Sequence, residues 1–400
     1  MRRLAAAAAA ATLALPALPP TAHAAPAPCD LPRGYTGPVG EQWARKRLGY
    51  DRAWTLTQGE GVLTAVIDSG ADTRHPMLSG RIADSVDLTG TGDRDCAGHG
   101  TGVAALIAGR DPRLGGVAPA ARLLIVKQQH AERDADGGAR LPKAVRAAAD
   151  AGARVINISL KAAPSPALDQ AVQYAHTKDA VIVAAAGNAQ EQDGDQGAAY
   201  PASYPGVLSV ASLGPDGARA ESSGVQSKVD LAAPGKGLIT PWPGGGHNPQ
   251  AEGTSYAAAF VSGTAALVRS RHPHLNREQV VRRILATADG NAGTGTGRGM
   301  VNPVQAVTAV LAGETAPPPA PSQPPAAVLA APEPSDDRTR AIATAVTAVT
   351  LTAAALAALS GVIVPMGRRR NWRPGRAALP APEPEDTPET APPSTTIGTP

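Results

Sequence analysis

What most limits the fold is a series of short, nearly unbroken apolar runs, each followed by a stretch of helical character. The runs lie at 62–67, 122–126, 155–160, 180–186 and 207–213, with a further one at 229–233. A strand with one wet face alternates apolar and polar residues. A strand covered on both faces does not, and so belongs to a parallel sheet flanked by helices. Between and after the runs, helical spacing appears at 99–108, 141–151, 166–178, 255–271, 277–288 and 303–311. The expectation is an α/β fold of three layers with a mostly parallel central sheet, forming one domain over 42–312.

Composition narrows the chemistry. Aromatic residues make up 3% of the chain, with one Phe, so a core must be built from Ala, Val, Leu and Ile. Between positions 29 and 312 there are 28 basic and 26 acidic residues, which leaves no basic field to grip a phosphate backbone. Nucleic acid is therefore excluded as a partner. Two cysteines are too few for a disulfide-rich miniprotein or a structural zinc site.

The two ends of the chain point to a membrane. Met1-Arg2-Arg3, an apolar run and the small residues Ala22-His23-Ala24 form a secretory signal over 1–24. An uncleaved anchor is the alternative, although Pro16, Pro19 and Pro20 interrupt the run. Positions 342–364 hold 23 uncharged residues. As a helix these reach roughly 34 Å, enough to cross a hydrocarbon core of ~30 Å. A transmembrane helix is thus expected over 341–365, the alternative being a buried Ala-rich helix. Arg368, Arg369, Arg370, Arg373 and Arg376 follow it, which puts them inside and all upstream residues outside. The remaining segments are a short N-terminal arm (25–41), a Pro-rich stalk (313–340) and a disordered cytoplasmic tail (366–400). Together they describe a single-pass type I protein of the cell membrane with its folded domain outside.

In open parallel sheets, chemistry gathers at the carboxyl ends of strands. Asp68 closes the first run in Val66-Ile67-Asp68-Ser69-Gly70, and Asn188 follows the run at 180–186 in Ala186-Gly187-Asn188. His99 opens a helix in Gly98-His99-Gly100-Thr101, and Ser255 opens another in Gly253-Thr254-Ser255. Taken singly, each has a structural reading as a cap or turn residue. Taken together, an acid, an imidazole and a hydroxyl in the chain order Asp, His, Ser match one known arrangement of a nucleophilic triad. The α/β-hydrolase alternative fails because its Gly-x-Ser-x-Gly elbow is broken by Ala257.

These four motifs, spread over positions 42–311, resemble those of subtilisin-like serine proteases. The resemblance implies Ser255 as nucleophile, His99 as general base, Asp68 as its orienting acid and Asn188 as oxyanion donor. It also implies a substrate-pairing segment at Ser159-Leu160, where Lys161 replaces the family's usual Gly. Ala184, Ala185, Ala186 and Gly187 would form a wall of the specificity pocket. The order of signal, protease domain, Pro-rich stalk, span and Arg-led tail is similar to that of the mycosins, membrane-anchored subtilases of actinobacterial type VII secretion systems. An exported chain of this kind is expected to pair Cys29 with Cys96, two unpaired thiols being the alternative. The 17 or so residues between Ala24 and Gln42 are too few for a foldable prodomain.

No cofactor is implied and no metal site is identifiable. Asp93, Asp95, Asp193 and Asp195 read as solvated loop charges. His75, His130, His176, His247, His272 and His274 lack ligand spacing and read as surface or loop residues. The expected partners are a protein or peptide substrate, the membrane and components of a type VII secretion complex. The expected function is a membrane-anchored extracytoplasmic endopeptidase that cleaves exported proteins, the alternative being a non-proteolytic scaffold that stabilises the secretion complex.

Overall fold

The computed structural model describes residues 29, 31, 33–130, 134, 137–189, 197–290, 293–314 and 337–369. The expected signal, the expected tail beyond 369, stalk positions 315–336, and Asp193 and Asp195 lie outside these residues. The chain divides into two compact units, 1–319 and 320–400.

The first unit is built on a seven-stranded sheet in the order β2-β3-β1-β4-β5-β6-β7. Its strands are β1 (Leu63–Asp68), β2 (Ile82–Asp87), β3 (Arg122–Lys127), β4 (Val155–Ile158), β5 (Val181–Ala185), β6 (Leu208–Leu213) and β7 (Leu231–Pro234). Every neighbouring pair in it is parallel. Successive residues serve opposite faces, as the pleat requires. Val66, Leu123 and Ile125 point into one apolar cluster, while Ala65, Ile67, Leu124 and Val126 point into the other. Both faces are covered, which is why these strands carry no polar alternation.

Helices α3 (Gly137–Asp150) and α4 (Pro166–Thr177) cover one face. Helices α2 (His99–Ala108), α5 (Thr254–Arg271), α6 (Arg277–Ala286) and α7 (Pro303–Thr308) contribute to the other cluster, as does the short N-terminal α1 (Trp43–Leu48). The long α5 has no wet side, since every residue from Thr254 to Arg269 is buried. Its small side chains let it lie close to its neighbours: a Cβ on Gly263 would come 2.6 Å from Val117 Cβ.

Three features are not legible in the apolar runs. Strand β2 sits at the sheet edge and is only partly buried, so its residues IADSVD carry little apolar signal. A separate antiparallel hairpin, β8 (Leu238–Trp242) and β9 (Gly246–Ala251), is masked by Pro241, Pro243, Pro249 and the two turn glycines Gly244 and Gly245. Tyr35 of the N-terminal arm joins this hairpin through a two-way backbone bridge with His247. The last is α1, with the 3-10 turn Tyr50–Thr55 behind it.

The described part of the second unit is one helix, α8 (Asp337–Arg369), of 33 residues. It is long and apolar enough to cross a membrane, and none of its residues is buried.

Candidate active site

The sheet's order reverses at β1, where β3 lies on one side and β4 on the other. Such switch points open a crevice at the carboxyl ends of the strands. Asp68, the last residue of β1, lies there and is fully buried. Its Oδ1 meets Nδ1 of His99 at 2.7 Å and also accepts from the Ser69 amide at 2.7 Å. Its Oδ2 is buried with no hydrogen-bond partner among the described residues. The carboxylate therefore meets its partners, the imidazole and Ser69, through one oxygen. With Nδ1 facing Asp68, Nε2 lies on the far side of the ring from the carboxylate.

His99 is the first residue of α2, and the approach of that helix to β1 needs a residue without a side chain. A Cβ on Gly100 would fall 2.0 Å from the Gly70 carbonyl and 3.1 Å from the Asp68 carboxylate. The helix's N-cap, Gly98, has no side chain to satisfy the first-turn amides. Asp95 supplies the missing acceptor. Its Oδ1 accepts from the amides of Ala97 (3.1 Å) and Gly98 (2.8 Å), and its Oδ2 from the Thr101 amide at 2.8 Å. Thr101 Oγ1 adds a 2.6 Å bond to Oδ2, and Ser69 Oγ a 2.8 Å bond to Oδ1. Asp95 is 3% exposed, which corrects its reading as a solvated loop charge. The sequence holds a usable signal: an acid three residues ahead of a glycine N-cap can replace the cap side chain that glycine lacks.

The loop that carries Asp95 is fastened from below and above. Lys127, fully buried at the end of β3, donates its ammonium to the carbonyls of Gly92 (2.8 Å) and Arg94 (2.6 Å). Burial lowers the Lys127 pKa, while Asp87, Asp95 and Asp93 oppose that shift. A disulfide joins Cys96 to Cys29, with 5.1 Å between Cα atoms, and ties the N-terminal arm to this loop. It closes 67 residues, a loop whose closure is worth about 2–4 kcal/mol.

Ser255 is the second residue of α5 and is 7% exposed. It is bound reciprocally to Ser159, just past the end of β4. Ser255 Oγ donates to the Ser159 carbonyl and Ser159 Oγ to the Ser255 carbonyl, both at 3.2 Å. Asn157 Nδ2 donates to Ser159 Oγ at 2.8 Å, and Ser262 of α5 donates to Asn157 Oδ1 at 2.8 Å. This buried chain pins the start of α5 to β4. Tyr256, the next residue, places its ring 5.2 Å from that of His99. Asn188 follows β5, and its Oδ1 accepts from the amide (2.9 Å) and hydroxyl (3.1 Å) of Thr254. With the oxygen engaged, the group Asn188 has to donate is Nδ2. Leu160, Ala185, Ala186 and Gly187 belong to the same carboxyl edge of the sheet, after β4 and at the end of β5.

Two further expectations are corrected. His75 and His176 are 4% and 8% exposed rather than superficial. His75 Nδ1 accepts from the Met77 amide at 3.2 Å and so caps a short turn, and His176 lies on the inner side of the last turn of α4. A lone imidazole is half apolar, so its sequence neighbourhood gives no warning of burial. Among the described residues no cluster of three or more His, Cys, Asp or Glu could hold a metal ion.

The parallel sheet with helices on both faces, and a buried Asp hydrogen-bonded to a His at its switch point, are of the subtilisin-like type. The chain belongs to the subtilase family (peptidase S8), whose pattern matches residues 59–306. It is a serine endopeptidase of that family. Its relatives there include mycosins. It is 35% identical to Mycosin-3 of Mycobacterium tuberculosis (strain ATCC 25618 / H37Rv) over 390 residues, which covers 81% of this chain and 83% of that one. Its fold is similar to that of the MycP3 protease from the type VII (ESX-3) secretion system, with a TM-score of 0.61 and 35% identity over 69% of this chain and 91% of that one. It is also similar to a chain in the periplasmic assembly from the ESX-5 inner membrane complex, with a TM-score of 0.62 and 29% identity over 76% and 92% of the two chains.

Proposed function

We propose that this chain is a membrane-anchored, extracytoplasmic endopeptidase that works through Asp68, His99 and Ser255 on a protein exported by a type VII secretion system. The observation that carries the reading is the 2.7 Å contact of wholly buried Asp68 with His99 Nδ1. An unassisted serine hydroxyl is a poor nucleophile. The Ser255 hydroxyl proton, directed at the Ser159 carbonyl in the resting site, would turn to His99 Nε2 as Oγ attacks the peptide carbonyl. Asp68 holds the tautomer and offsets the imidazolium charge that forms. Asn188 Nδ2 and the Ser255 amide would receive the oxyanion, and His99 would then return the proton to the leaving amine. Ser159 and Leu160 would pair the substrate backbone, with Ala185, Ala186 and Gly187 beside its side chain.

The anchoring part of the reading rests on α8, which would span the membrane over 341–365. The division into signal (1–24), arm (25–41), peptidase domain (42–312), stalk (313–340) and tail (366–400) is part of the same proposal. The type VII assignment is supported by the likeness to the ESX-3 protease and to the ESX-5 periplasmic assembly. That second likeness also favours a scaffolding role alongside cleavage.

Ser255→Ala separates the two. Labelling by a fluorophosphonate and peptide hydrolysis should both vanish, with hydrolysis down about 10⁶-fold, as when a subtilisin loses its serine. Secretion that persists in this variant while substrate processing stops would assign the scaffold role to the folded domain. Processing that continues would overturn the protease reading.

A further inference from the structure

We propose that Asp95 is a positioning residue for His99: a second buried carboxylate that holds the base in place and keeps the Asp68 charge directed at it. The inference rests on the reading of His99 as the base. Five donors converge on Asp95: the amides of Ala97, Gly98 and Thr101 and the hydroxyls of Ser69 and Thr101. Ala97 and Gly98 lead directly into His99, and Thr101 closes the first turn behind it. One side chain thus fixes the backbone on both sides of the imidazole.

The link to Asp68 runs through Ser69. Its hydroxyl lies 2.8 Å from Asp95 Oδ1 and 3.2 Å from Asp68 Oδ1, and its oxygen accepts from the Gly100 amide at 3.1 Å. A hydroxyl has one proton to give, and the shorter contact assigns it to Asp95. Asp68 Oδ1 is then left with the Ser69 amide and His99 as its donors, and Oδ2 stays without a partner among the described residues. A poorly solvated carboxylate pulls harder on the one proton it shares.

The charged and titratable groups around this pair are few. Asp68 stands on β1 and Lys127 on β3, with Asp87, Asp93 and Arg94 around the lysine. Helix α5 contributes Tyr256 beside the imidazole, and the Asp72 amide donates to Thr101 Oγ1 from the loop after β1. Burial raises the Asp95 pKa, and the bonds from Thr101 and Ser69 work against that rise. With five donors aimed at it and no acceptor, the carboxylate is set to be an anion.

Two variants move His99 in opposite directions. Asp95→Asn removes a negative charge and leaves one carbonyl oxygen where five donors converged; the lost charge lowers the basicity of the imidazole. Ser69→Ala keeps both carboxylates and strips a hydroxyl donor from Asp95, which leaves more of that charge to act on the imidazole and raises its basicity. The measurement is the rate of fluorophosphonate labelling against pH, on the full chain in detergent, with Ser255→Ala as the blank. For Asp95→Asn the acid limb should move to lower pH by roughly half a unit or more. The plateau rate should fall about 10–100-fold, as for a small misplacement of a reacting group. For Ser69→Ala the limb should move to higher pH. A purely structural role would lower the plateau and leave the limb in place, and that result in either folded variant overturns the proposal. Should Asp95→Asn fail to fold by circular dichroism, Ser69→Ala decides alone. A wild type that takes no label at Ser255 sinks the triad reading itself, whatever Asp95 does.

Discussion

The two halves of the candidate site are fastened by different physics. Ser255 rides on a helix whose first 16 residues are all buried, held by close apolar packing and a short polar chain to β4. His99 also opens a helix that is buried from Gly100 to Ala108, but the turn that leads into it is held by polar contacts: Asp68, Asp95, Ser69 and the Lys127 ammonium. Packing is set by volume and is indifferent to pH. A hydrogen-bonded turn depends on single atoms and on charge. Both halves should therefore fail by steric change, and the base's half should fail in addition by loss of one heteroatom.

The largest effect expected after loss of Ser255 comes from the polar half. Asp68→Asn keeps the shape but permits the wrong tautomer of His99, and kcat for a peptide substrate should drop about 10⁴-fold. A drop below tenfold would mean that the 2.7 Å contact does not orient the base. Next comes Asn188→Ala, which removes the side-chain donor to the oxyanion. A loss of about 10²–10³ in kcat with KM little changed is the expected result, read by steady-state kinetics.

The packed half is probed by Gly263→Ala, whose new methyl would meet Val117 Cβ. Overpacking of this kind costs about 1–3 kcal/mol, to be seen as a lower midpoint in denaturant unfolding. The acid limb of labelling should stay where it is. A shifted limb would break the contrast between the halves.

The smallest effect concerns a group outside both. Burial, with the Arg277 charge adding to it, pulls the His176 pKa down to about 4. The unfolded chain takes up the proton first, near the ordinary value of 6.5, so stability is full above that pH and declines as pH falls toward 4. Between pH 7 and pH 5 the loss should be about 1–2 kcal/mol, and His176→Gln should flatten it in unfolding curves taken across that range. A limb that moves with His176→Gln would show that global stability, not the His99 turn, governs the labelling profile.

The same contrast explains what is readable in the sequence. Strands β1, β3, β4, β5 and β6 announce themselves because burial on both faces demands an unbroken apolar run. Asp68 and Asn188 can be picked out because they stand where such runs stop, and Ser255 because it opens a long helix. Edge strand β2 and the Pro- and Gly-rich β8–β9 hairpin are hidden, since partial exposure and turn residues erase the apolar signal. Asp95 is misread for a related reason: an acid among Gly, Arg and Asp looks like a loop charge until the donors around it are known.

By itself, the sequence determined the class of fold, the order of the chemistry-bearing residues and an apolar helix long enough for a bilayer. These follow from local periodicity and from residue type, which the chain carries without folding. Only the tertiary structure decided that Asp95 is buried, that Ser69 stands between two carboxylates and that Ser159 and Ser255 bind each other. Those pairs lie 26 and 96 positions apart in the chain, and hydrogen bonds between buried polar groups form only after the apolar faces have closed around them.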